Sequence, residues 1–288
     1  MYYAMLTFAV ILLAFNFALT KLYQKKNGVS KKAGYLFNSM VGLFTALIFF
    51  VANGFTVSVT PFSVVMGFSY AALVTVYTII GFKILEGGTM ALYTLFLMVG
   101  GMTIPYIYGL LFLDEKFSYI RTLALLVIMA GVVLSNYSEE KLDKKRLLMC
   151  IAVFVLNGFV SVTSKLHQIE TVYDTVDTQE FVIITGIAKF IFAGILYLGA
   201  KKEESENKKL PFRFVLLLTA GSAAIVGLSS FFQLIGAANL PATVIYPFVT
   251  GGTIVFSSLA GMIFYREKIT LKTAISIFLC FVGTLMFL

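Results

Sequence analysis

The sequence predicts an all-α integral membrane protein with ten transmembrane helices, arranged as two inverted five-helix repeats. Three observations lead there. First, 59% of the 288 residues are hydrophobic, 12% are charged and the mean hydropathy is +0.94, whereas an ordinary soluble domain carries about 25% charged residues. That composition excludes a water-soluble fold. Second, the charges gather in short clusters between apolar runs of about the 20 residues a helix needs to cross hydrocarbon. Third, the two halves of the chain align with each other, and their matching loops carry opposite charge.

Apolar runs bounded by charge or by Pro, Gly and Asn place spans at 2–22, 34–53, 62–83, 89–113 and 118–136. A second set follows at 147–167, 180–200, 212–236, 241–264 and 270–288. Each must be helical, because a strand edge in hydrocarbon leaves backbone N–H and C=O groups unpaired. The first run has no basic stretch before it and KLYQKKNGVSKK after it, the reverse of a cleavable signal peptide, so it is expected to remain as span 1.

The net charge of +8 and pI near 9.3 do not point to nucleic acid. All of the 22 lysines and arginines except Lys116, Arg121, Lys165 and Lys189 fall in or beside the connections after spans 1, 3, 5, 7 and 9. By the positive-inside rule those loops are cytoplasmic and both termini face outward, across a cell membrane. Cys150 and Cys280 lie far apart in apolar runs, which predicts packing and no disulfide or ligand cluster.

An offset of 152 residues superposes Phe96 on Phe248, Gly100 on Gly252, Gly109 on Gly261, Glu115 on Glu267, Lys116 on Lys268 and Gly131 on Gly283. An offset of 144 aligns the earlier part, including Lys21 with Lys165 and Gly42 with Gly186. The chain therefore divides into units at 1–138 and 146–288. Five is odd, so two such units cross the membrane in opposite senses. The loop KKNGVSKK after span 1 is basic, while its counterpart IETVYDTVDTQE after span 6 is acidic, as an inversion requires.

The ends of the two halves, LLFLDEKFSYIRTLALLVIMAGVVL and MIFYREKITLKTAISIFLCFVGTLM, with NLPATVIYPFVTGG before the second, resemble the ten-helix EamA-type members of the drug/metabolite transporter superfamily. The resemblance covers nearly the whole chain and implies two EamA-like repeats and secondary transport. Two features depart from the pattern. Leu95 stands where Pro247 stands in the second half, with Pro105 displaced, and the family's usual orientation puts the termini in the cytoplasm, opposite to the charge count. The family's four-helix relatives use a mid-membrane Glu to exchange protons for organic cations, and no acidic residue lies deep in a span here.

Transport needs polar or irregular helix groups around a central cavity. Pro105 cannot donate to the carbonyl of Gly101, beside Gly100, and Pro247 frees the carbonyl of Thr243, with Gly251 on the same face. These residues are expected either to line a cavity or to let helices pack closely. Lys189, near the middle of span 7, costs about 2.5–3.5 kcal/mol to insert and should face the bundle interior. There it binds a substrate carboxylate or phosphate, or loses its proton and couples transport to pH; the alternatives are snorkelling and pairing with helix carbonyls. Tyr93, Tyr246, Asn16 and Asn157 are further candidates for cargo contact, with interhelical hydrogen bonds as the alternative.

Lys83 and Glu86 can pair on one helix face as a gate or as an interfacial salt bridge. Glu115 and Glu267 are expected to cap the turns into helices 5 and 10, and His167 to lie at the surface. The chain lacks GxxxxGK[ST], HExxH and GxSxG segments and a TVGYG-like filter, so ATP-driven transport, enzymatic activity and a selective channel are not expected. A secondary carrier for a small metabolite or drug-like solute is the expectation; an uncoupled facilitator, a channel-like permease and a membrane scaffold are the alternatives. No cofactor or metal is expected, and the partners are the solute and the bilayer, for a monomer or a homodimer.

Overall fold

The structure is a computed structural model that describes residues 1–27, 30–85, 90–136, 143–200, 211–266 and 270–288. These residues form α1 (Tyr2–Asn27), α2 (Lys31–Ala52), α3 (Pro61–Leu85), α4 (Met90–Phe112) and α5 (Tyr119–Asn136). They continue through α6 (Lys144–Ile169), α7 (Thr178–Gly199), α8 (Phe212–Asn239), α9 (Ala242–Tyr265) and α10 (Leu271–Leu285), with no strand among the described residues. Nine of these helices are long and apolar enough to cross a bilayer. With 15 residues, α10 rises only about 22 Å at 1.5 Å per residue, short of the roughly 30 Å hydrocarbon core. The run at 270–288 had promised a full span, but Thr270 is its N-cap and residues 286–288 leave the helix.

The helix starts follow local chemistry. Ser30, Asp143 and Thr270 each accept the N–H three residues on, at 3.2, 2.6 and 3.2 Å, and so cap α2, α6 and α10. In α7, Glu180 reaches back to the N–H of Asp177 at 3.2 Å and also accepts the N–H of Ser58 at 2.7 Å. That carboxylate ties the α2–α3 connection to the start of α7. Beyond α6, Glu170 accepts the N–H groups of Val172, Tyr173 and Thr171, and the Val172 bond foremost holds its carboxyl below the usual range. Helices α8 and α9 begin after Pro211 and Pro241, which fix φ but offer no side-chain acceptor.

Packing is dominated by long pairings: α2 on α7, α5 on α10 and α4 on α9, with α1 against α8 and α9, and α6 against α3 and α4. Glycines set the closest approaches, since small residues let membrane helices touch. A Cβ at Gly42 would stand 2.8 Å from the Gly186 carbonyl, and one at Gly186 would stand 2.9 Å from the Gly42 carbonyl. Two glycines that align in sequence thus meet at the α2/α7 crossing. On α5 and α10 the contacts are also reciprocal: Gly131 lies against Cys280 and the Ser276 carbonyl, and Gly283 against Ile128 and the Ala124 carbonyl.

Candidate functional site

A cavity of about 100 Å³ lies where α3 meets α6, α7, α8 and α9, toward the side of the even-numbered loops. Tyr70, Phe181 and Tyr246 give it aromatic walls, and Ser164, Thr185, Ser230 and Gln233 supply polar groups. The Tyr246 hydroxyl donates to the Ser161 carbonyl at 2.6 Å, which fixes that ring. Gln233 donates through Nε2 to Ser229 Oγ at 3.1 Å, and Ser229 donates to the Ala9 carbonyl at 2.8 Å. The hydroxyls of Tyr70 and Ser230 have no hydrogen-bond partner among the described residues, which leaves them available to a guest. The lining carries no charge. Such a site offers stacking surfaces and neutral hydrogen-bonding groups to a small molecule.

Above the cavity, toward the loops, Phe181 begins an aromatic column. His167 stacks on it with ring centroids 3.6 Å apart, followed by Phe62 at 6.2 Å from His167 and Tyr173 at 5.3 Å from Phe62. His167 is only 2% exposed, which corrects the surface position expected for it. Its Nε2 lies 2.8 Å from Ser63 Oγ and its Nδ1 lies 2.9 Å from the Gln168 amide. Those bonds satisfy a ring that would otherwise be costly to bury.

Of the residues singled out in the sequence, Tyr246 reaches this cavity. Lys189 lines a separate, smaller one with Tyr35, Asn38, Thr75 and Thr78. Most of the others hold helices together. A Cβ at Gly100 would run into the backbone of Phe154, and one at Gly251 would meet Thr284 and Ile128. Pro105 does free the Gly101 carbonyl, but Ser161 Oγ donates to it at 3.1 Å. The irregular carbonyl of α4 therefore serves the α4/α6 interface and not the cavity. Asn157 donates to the Leu97 carbonyl at 2.7 Å, closing the same seam. Tyr93 packs over Gly81 of α3, and Pro247 is buried in α9. Asn16 sits on α1 with its Oδ1 buried and without a hydrogen-bond partner among the described residues, as is Ser222 Oγ on α8. The Ser229 to Ala9 bond sets an antiparallel register that places these two residues opposite each other, where an ordered water would satisfy both.

Glu115 has a different role from the one expected. Its carboxylate accepts the N–H of Ala242 at 2.5 Å, the N–H of Thr243 at 2.9 Å and the Thr243 hydroxyl at 2.7 Å. It thus caps α9, while Ser118 accepts the Arg121 N–H at 3.4 Å at the start of α5. The reason is Pro241: a helix that starts on proline has no side-chain cap of its own, and an anion at its N-terminus also complements the dipole. Lys165 completes the arrangement, donating to the carbonyls of Ala237 at 2.6 Å and Leu240 at 2.7 Å at the C-terminal end of α8. A cation at the end of α8 and an anion at the start of α9 clamp the turn between them. Glu115 and Lys165 also feel each other electrostatically. Lys83 is exposed in the last turn of α3; its proposed partner Glu86, like Glu267, lies outside the described residues.

Tyr70, Ser164, Thr185, Ser230 and Gln233 were not singled out in the sequence, and Lys165 stood out there only by its charge and its match to Lys21. Gln233 carried a usable signal as an amide inside an apolar span.

Fold and site together define a multi-pass helical membrane protein with a polar cavity inside the bundle. No family model and no curated protein matches the chain. Twenty-nine solved chains match it in fold. One of them, known as "Crystal structure of protein", has a TM-score of 0.77 over 99% of this chain and 95% of its own, at 15% identity. That likeness shows a shared fold across the whole chain.

Proposed function

We propose that the protein is a secondary transporter of the EamA type, moving a small metabolite or drug-like solute across the cell membrane by alternating access, without ATP and without enzymatic chemistry. The observation that carries this reading is the neutral, aromatic-walled cavity between α3 of the first five helices and α6–α9 of the second, with the Tyr70 and Ser230 hydroxyls unpaired among the described residues. A scaffold has no need of such a hollow.

The two-repeat reading supports it. Exchanging each helix for the one five places on carries the principal pairings onto themselves: α1 with α8 becomes α6 with α3, and α1 with α9 becomes α6 with α4. Gly100 against Phe154 likewise repeats as Gly252 against Val10. An odd number of helices per unit then makes the second unit the inverse of the first, which is the geometry of rocking-bundle carriers. The basic odd-numbered loops face the cytoplasm in this reading.

Flux into proteoliposomes tests the proposal. A carrier gives saturable uptake accelerated by the same solute loaded on the opposite side, whereas unsaturable conductance would replace it with a channel. For any transported solute, Tyr70→Phe and Gln233→Leu are expected to raise KM by about 5- to 10-fold each, the value of one hydrogen bond. Unchanged KM in both variants would remove the cavity from the transport route.

A further inference from the structure

Two pockets follow one another along the seam between α3 and α7. Tyr70 and Thr185 line the larger cavity; Val74, Thr78 and Lys189 line a pocket of about 20 Å³ with Tyr35 and Asn38 of α2. Positions 70, 74 and 78 of α3 are spaced by four residues, as are 185 and 189 of α7, so each set occupies one helix face. Cavity and pocket are thus successive stations on a single polar stripe. Lys189 stands one helical turn beyond Thr185.

Its ammonium has no hydrogen-bond or ion-pair partner among the described residues. Neither ordinary explanation for a membrane lysine applies to it. Carbonyl pairing accounts for Lys165, which holds two carbonyls at the end of α8, but Lys189 holds none. Snorkelling fails on distance: Lys189 lies eleven residues from Thr178 and ten from Gly199, about 15 Å from either helix end. An unpaired cation at that depth is costly, and an anion arriving beside it would offset that cost.

Accepting the carrier reading, we infer that Lys189 is the anion-binding point of the transport route, and that the cargo carries a carboxylate or phosphate attached to an uncharged body. The body occupies the cavity between Tyr70, Phe181 and Tyr246, which stacks and donates hydrogen bonds but offers no charge. The anionic group reaches along the stripe to Lys189 as the protein changes state. A charge-assisted hydrogen bond supplies the affinity there.

The test is ligand-dependent thermal melting of the purified full chain with benzoate, phenyl phosphate and phenylalanine, against benzamide and benzylamine as neutral and cationic matches. Benzoate or phenyl phosphate is expected to raise the melting midpoint, and benzamide and benzylamine are not. In Lys189→Met the anion's apparent Kd should weaken about 10- to 100-fold, the value of a hydrogen bond to a charged group, and Lys189→Arg should recover part of it. The unliganded Lys189→Met protein should melt no lower than the parent, because the change removes a half-buried charge that has no partner among the described residues.

A lower midpoint would mark Lys189 as structural and end the inference. Equal anion shifts in parent and variant, or no shift with any anion, would also end it. Counterflow separates this failure from failure of the carrier reading: saturable counterflow of a neutral or cationic solute, unchanged in Lys189→Met, keeps the carrier and discards the anion site.

Discussion

Gly100→Leu is expected to yield little or no correctly packed protein. At that position α4 meets α6 backbone to backbone, and even a Cβ would collide with the main chain of Phe154. No rotamer change relieves a clash with backbone, so the two helices must separate. Separation breaks the Asn157 to Leu97 and Ser161 to Gly101 bonds that stitch the same seam. The cost exceeds the 1–3 kcal/mol of ordinary overpacking. Size-exclusion chromatography of the detergent-purified variant checks it: the parent elutes as one symmetric peak and the variant as aggregate. A monodisperse variant with the parent's melting midpoint would refute the close α4/α6 contact.

Glu115→Ala has the second largest expected effect, a loss of about 3 kcal/mol, on the scale of removing a charged group that holds several hydrogen bonds. Two N–H groups at the start of α9 lose their acceptor, and Pro241 offers no substitute. Lys165 at the same time loses its nearby counter-charge. Glu115→Gln keeps one acceptor oxygen and should recover part of the loss. Because Glu115 and Lys165 clamp one turn, the double variant Glu115→Ala with Lys165→Met should cost less than the sum of the singles. Thermal melting of the four proteins reads this directly, and strict additivity would separate the two roles.

The transmembrane helices were legible in the sequence because length and hydropathy alone decide which segments can cross hydrocarbon, and nine of the ten expected spans have the required length. Gly42 with Gly186, and Gly131 with Gly283, were legible as matched positions, and in the fold they sit at the α2/α7 and α5/α10 contacts. Their packing role depended on neighbours that a one-dimensional reading does not supply. Pro105 pointed correctly to a free carbonyl at Gly101, yet Ser161, sixty residues away, takes it. Glu115 was placed at the nearest helix start, whereas the helix short of a cap was α9, behind Pro241. A proline N-cap in search of an anion was the overlooked signal. The cavity escaped notice because its polar groups come one or two at a time from five helices, and only packing brings them together. His167 was misplaced for the same reason, since its rings and partners come from α3, α6 and α7.

The most direct test of alternating access needs no knowledge of the cargo. In a Cys150→Ser, Cys280→Ser background, Ser230→Cys puts one thiol on the cavity wall, and a membrane-impermeant thiol reagent is applied to each face of sealed proteoliposomes of known orientation. The account predicts labelling from both faces, with labelling from one face falling whenever conditions raise labelling from the other. Labelling confined to one face under every condition, or open to both at once without competition, would contradict it.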